Sequence, residues 1–218
     1  RAEEARRLLD AGIDVLSEVL EVEPPELDIL LIAEADWKET PRENSHAYPY
    51  GLPYFTRSVR PPTLVLPEEI TADITPRTEA TASLVVWHEL AHAFLLRKEI
   101  VKTPAWLGEF VPQASAAVIA RRAGLPLGEH LSLVEKDPGF TVRTLSGRAD
   151  AGRQMAFQNL LLSLGVAALE QFGERFLRRL VHRLWKETEI VDERRAEELL
   201  AGSLGSGGRG WLESRPEF

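Results

Sequence analysis

His88 and His92 lie four residues apart in VVWHELAHAF (residues 85–94), and Glu89 directly follows the first. On an α-helix, residues at this spacing lie about 40° apart around the axis, so both imidazoles face one way and can grip one ion. Glu89 falls about 100° round from His88, which sets its carboxylate beside such an ion rather than on it. Two ligands plus an adjacent carboxylate make the H-E-x-x-H pattern of zinc hydrolysis, in which the glutamate is the general base. The surrounding positions (Val85, Val86, Leu90, Ala91, Ala93, Phe94) are uncharged, which predicts a largely buried helix. Three polar side chains inside a buried helix are costly unless something satisfies them. The plain alternative is a helix whose polar residues bond to their neighbours.

Catalytic zinc needs a third protein ligand and an open position. Leu95 and Lys98 stand where the metzincin extension of the pattern wants Gly and His. Glu99 shares the His92 face but lies about 10 Å along the axis. The next candidate is Glu109, in TPAWLGEF. It opens a second helix after a proline-containing turn, and a helix folded back antiparallel would bring its first turn to the histidines. Against this stands a solvated glutamate favoured by the helix N-terminus. The chain has no cysteine and five histidines, so any transition metal must rest on His, Asp and Glu.

The elements that must position these groups follow from periodicity. Leu9, Ile13, Leu16 and Leu20 stripe a helix over 2–21 that Pro24 and Pro25 end. A short Ile/Leu run predicts a strand over 27–33, and TLVLP (63–67) a second one, placed at a sheet edge by its flanking prolines. Between them runs a Pro- and Tyr-rich stretch read as a functional loop. Helices are expected over 78–98, 105–122, 150–171, 174–187 and 192–201, with 125–149 irregular. The glycine-rich GSLGSGGRG makes 202–218 a flexible tail by composition, with Trp211 and Leu212 as a second anchor. No repeat or composition boundary divides the 218 residues. The expectation is one α+β domain, mostly helical, with a small N-terminal sheet.

VVWHELAHAF followed by TPAWLGEF resembles the gluzincin metallopeptidases, more narrowly the peptidase MA-like domains distantly related to a family of zinc aminopeptidases. In those, the H-E-x-x-H helix is followed by a P-x-W-L-x-E segment that supplies the third ligand. The resemblance implies a zincin-like fold, Zn²⁺ on His88, His92 and Glu109, Glu89 as general base, and hydrolysis of a peptide or protein substrate. It extends loosely over 63–218, and only the two metal motifs are specific. Sixteen residues separate His92 from Glu109, fewer than the usual aminopeptidase spacing, and Phe110 stands where a glycine usually follows the ligand. The region RADAGRQMAFQN lacks the tyrosine that stabilises the oxyanion in many relatives, and no G-A-M-E-N segment lies upstream.

An oxyanion donor or substrate contact must then come from elsewhere. The candidates are Tyr48, Tyr50, Tyr54 and His46 in the loop, and Arg153 or Gln154 downstream; the alternative for the tyrosines is hydrophobic packing with a wet hydroxyl. Gln113, one turn after Glu109, could orient a histidine ligand. His130 carries no motif, and His182 falls on the polar side of its helix. The rival reading is a catalytically inactive or regulatory metal-binding module of the same fold. A net charge of −8 argues against a nucleic-acid partner. No apolar run is long enough to span a membrane, which predicts a soluble domain whose compartment is open. A start at Arg1 rather than Met points to the loss of an N-terminal segment.

Overall fold

α1 (Ala2–Leu20) buries Ala5, Leu9, Gly12, Leu16 and Leu20, a row with steps of three and four that forms one helical face. In the computed structural model, residues 2–43, 50–71, 76–131, 139–144 and 151–218 are described. After α1 come β1 (Asp28–Ile32), β2 (Tyr54–Thr56) and β3 (Thr63–Pro67). The remainder is helical: α2 (Pro76–Leu95), α3 (Ala105–Arg122), α4 (Leu127–Leu131), α5 (Ala151–Phe172), α6 (Arg175–Leu184), α7 (Glu193–Leu204) and α8 (Gly208–Glu213). The architecture is thus α+β, mostly helical, with one small sheet near the N-terminus.

The sheet order is β1-β3-β2, with β1 parallel and β2 antiparallel to β3. This corrects the expectation for 63–67: β3 is the central strand and all five of its residues are buried. Its prolines sit outside the strand or at its last position, so its interior amides remain free to pair on both sides. The edge beside the helices belongs to β2, a three-residue strand inside the stretch read as loop. Side chains alternate across a strand. Tyr54 and Val65 therefore join Trp37 in a small outer cluster, while Phe55, Leu64 and Leu66 face the main core.

α3 is the hub of that core. Trp106, Leu107, Phe110, Val111 and every residue from 114 to 120 are buried, as expected of a helix packed on all sides. α2 and α5 pack against it, and α1 against both α2 and α3. Indole N–H groups cross-link the layers, donating from Trp87 to the Leu8 carbonyl at 2.9 Å and from Trp185 to the Leu95 carbonyl at 2.9 Å. His182, on the polar side of α6, is half-buried, with Nε2 2.9 Å from the Leu20 carbonyl.

The expected flexible tail is also corrected. α7 runs three residues beyond 201, Gly205 and Gly207 turn the chain with φ of 96° and 81°, and α8 buries Leu212. The Phe218 ring stands edge-on to Trp106 with centroids 5.4 Å apart, and Val142 N–H donates to the Glu217 carbonyl at 2.9 Å. Composition hid this because the glycines serve tight turns and close packing here rather than freedom.

Gly12 lets α1 approach the site helix closely. A Cβ there would lie 2.7 Å from Leu90 Cδ2 and 2.9 Å from Trp87 Cδ1. The Leu90 methyl can swing away, but the Trp87 ring is held by its bond to Leu8. Gly12→Ala gains up to about 1 kcal/mol of helix propensity. It loses about 1–3 kcal/mol to overpacking. The net expectation is a lower Tm, read by thermal unfolding; an unchanged or higher Tm would show that α1 and α2 can part freely.

Candidate metal centre

α2 carries His88, Glu89 and His92 on the face it turns toward α3 and β2. Nine residues separate the end of α2 from the start of α3, and Pro104 stands in extended conformation immediately before α3. Burial of Trp106, Leu107 and Phe110 rotates α3 so that Glu109 lies at the edge of its buried face, with a side chain 30% exposed. His88 is buried, while Glu89 and His92 are half-buried.

The two Nε2 atoms of His88 and His92 stand 3.2 Å apart. Glu109 Oε2 is 3.2 Å from the first and 3.8 Å from the second. These separations define a circle of radius about 2.0 Å, close to the zinc–nitrogen and zinc–oxygen bond lengths. A point within bonding distance of all three atoms therefore exists, and the residues fit a zinc ion.

Two carboxylates compete for the third-ligand role. Glu89 clusters with both histidines, with one ligand atom from each of the three lying within 4.8 Å of the others. Its Oε1 is 4.0 Å from His88 Nε2, and its Oε2 accepts the Phe55 N–H at 3.0 Å. Glu109 is nearer to the imidazoles and touches both, so it is the better ligand. Glu89 stands farther from His88 Nε2 and is fixed through Oε2 by the Phe55 N–H.

Gln158 of α5 donates from Nε2 to Glu109 Oε2 at 2.9 Å, and its Oε1 accepts from Gln113 Nε2 at 2.6 Å. α5 reaches this position because Gly165 lets it lie against Ala114 of α3, where a Cβ would be 3.1 Å from the Ala114 Cα. Gln113 is thus two hydrogen bonds from Glu109 and bonds neither histidine. His88 Nδ1 is buried with no partner among the described residues.

Electrostatics separate the four groups. Burial opposes charge on His88, but the hydrogen bond to Glu109 and the nearby charges of Glu89 and Glu109 outweigh it, and its pKa is raised. Burial, aided by the charge on His88, pushes His92 down to about 4. Burial pushes Glu89 up to about 7 against the pull of His88. Burial also works to raise Glu109, yet the His88 hydrogen bond, both imidazoles and the Gln158 amide hold it at about 2. In the metal-free cluster one carboxyl is thus held ionised while the other titrates near neutral pH.

The other candidate contacts are dispersed. Tyr54 follows the packing alternative: its ring packs on Trp37, and its hydroxyl bonds Thr40 and donates to the Pro41 carbonyl at 3.1 Å, on the sheet face away from α2. Tyr50 joins the same cluster, edge-on to Trp37 at 5.3 Å, with its hydroxyl buried. Arg153 lies at the exposed start of α5 with its guanidinium 5.6 Å from the Phe140 ring centre, and Gln154 beside it is exposed. His46 and Tyr48 lie outside the described residues. Sequence reasoning missed Gln158 and the Phe55 amide. Gln158 carried a faint signal, a polar residue amid Phe157, Leu160 and Leu161; a backbone donor carries none.

Compared with protein-family models, curated proteins and solved structures, the chain matches none.

Proposed function

We propose that this chain is a gluzincin-like zinc metallopeptidase, with a zincin-like fold, that hydrolyses peptide bonds in a peptide or protein substrate. The observation that carries it is the convergence of His88 Nε2, His92 Nε2 and Glu109 Oε2 at zinc-ligand spacing, with the Glu89 carboxylate beside them. When bound there, zinc lowers the pKa of water towards ~7 and polarises a substrate carbonyl. Glu89 takes the proton on Oε1 while the Phe55 N–H holds Oε2. A carboxylate so placed can accept that proton and return it to the leaving amine. A regulatory metal-binding module is the second reading. It is favoured by the Tyr54 hydroxyl, which is engaged on the far side of the sheet rather than facing the metal ligands.

The purified protein is expected to hold close to one zinc per chain and to cleave an unstructured peptide library. A chelator should remove both zinc and activity. Affinity should also fall with pH. The raised pKa of His88 leaves a proton on the site at and below pH 6.5, and zinc must displace it. Each displaced proton weakens binding by about tenfold per pH unit below that pKa and not above it. A chain that stays metal-free in excess zinc at pH 8 would sink the proposal.

A further inference from the structure

We infer that Gln113 and Gln158 form an amide relay that sets the metal-binding orientation of the Glu109 carboxylate, so that Gln113 tunes zinc affinity from two hydrogen bonds away. The inference rests on the metal centre proposed above and assigns two positioning residues to it.

A primary amide has a donor end and an acceptor end, and its role depends on which way it faces. Gln158 turns its NH₂ toward Glu109 Oε2 at 2.9 Å, the same oxygen that faces both histidines. The reverse orientation would set its carbonyl oxygen against that carboxylate, acceptor against acceptor. The Glu109 carboxylate, which only accepts, draws the Gln158 NH₂ toward itself, and Gln113 holds that orientation from the other end by donating to Gln158 Oε1 at 2.6 Å. The three side chains come from two helices: Glu109 and Gln113 are one turn apart on α3, and Gln158 spans from α5. The close contact of Gly165 with Ala114 holds the two helices at this spacing. Partners of metal ligands act in this way, fixing a carboxylate or imidazole in its binding orientation, and their loss typically costs 10–100-fold in affinity.

Orientation makes the relay testable. Gln158→Ala removes the donor to Glu109. Gln113→Ala removes the outer hydrogen bond but leaves the Gln158 amide free to keep its useful orientation. Gln113→Glu is the sharp case, because a carboxylate at 113 accepts rather than donates. It draws the Gln158 NH₂ to itself and turns the carbonyl oxygen onto Glu109. The added negative charge by itself favours a cation, so weaker binding runs opposite to simple electrostatics.

The experiment is zinc affinity by chelator competition at pH 7.5, with circular dichroism and Tm as checks on folding. Gln158→Ala and Gln113→Glu are each expected to weaken zinc by about 10–100-fold, and Gln113→Ala by only a few-fold. If native protein binds zinc and folded Gln158→Ala binds it equally well, the relay is overturned while the metal centre stands. If Gln113→Glu binds at least as tightly as Gln113→Ala, amide orientation is overturned. Native protein that takes no zinc overturns the metal centre and the relay together.

Discussion

Glu89→Gln should keep its zinc and lose about 10²–10⁴-fold in kcat for peptide hydrolysis, the usual contribution of a general acid–base group. The amide has nearly the same shape, and its carbonyl oxygen can still accept the Phe55 N–H that now meets Oε2. It cannot take a proton from water. KM should therefore move little, since the lost interaction belongs to the transition state. A second readout needs no substrate. In the metal-free protein, burial raises the Glu89 pKa to about 7 from an ordinary 4.5. The folded state then binds more protons than the unfolded state between those values, so native stability falls as pH rises through the window. The neutral amide escapes that cost. Metal-free Glu89→Gln should melt higher than native protein above pH 7, and the difference should close toward pH 4.5. If native protein binds zinc but cleaves nothing, and the variant matches it in partner binding, the regulatory-module reading wins.

The clustering of His88, Glu89 and His92 is legible because helix geometry is local. Spacing within α2 fixes how His88, Glu89 and His92 lie relative to one another, whatever else the chain does. Glu109 was harder to read, since its approach depends on how α3 leaves α2. The 105–122 helix was predicted with the bounds that form. Bounds alone do not rotate a helix, however. The rotation comes from burying Trp106, Leu107 and Phe110 together, and that burial leaves Glu109 at the rim.

What was not legible is long-range or backbone-borne. β2 has three residues, too few to show an alternating pattern, and its contribution to the centre is an amide common to every non-proline residue. The Tyr54 hydroxyl looked available because tyrosines in a polar stretch are often exposed. The alternation of β2 sends it to Trp37, Thr40 and Pro41 instead. Gln158 meets Glu109 across 49 positions of sequence. The close helix contact that permits it depends on a glycine whose importance shows only when Ala114 is seen opposite.

Glu109→Ala is the change expected to cost the centre most. Removing a first ligand should exceed the roughly 100-fold that loss of an outer partner can cost. Two neutral imidazoles with Nε2 atoms 3.2 Å apart would remain, with no anion at the zinc-bonding spacing. Elemental analysis of native and variant protein after dialysis reads the difference directly. The variant should also change the metal-free protein. Attraction to His88 and His92 holds the Glu109 carboxyl at about 2, below its ordinary 4.5, so its ionised form contributes stability that is present above 4.5 and lost toward 2. Without it, burial prevails at His88 and that pKa falls below 6.5, since the opposing hydrogen bond is gone. Glu109→Ala should therefore be less stable than native protein between pH 5 and about 6.5, with the gap shrinking near pH 2. A single result would reassign the roles. If Glu109→Ala holds zinc as tightly as native protein while Glu89→Ala loses it, the third ligand is the carboxylate that shares α2 with the histidines. The centre would then lack a base on that helix, and hydrolysis would have to draw its proton acceptor from Glu109.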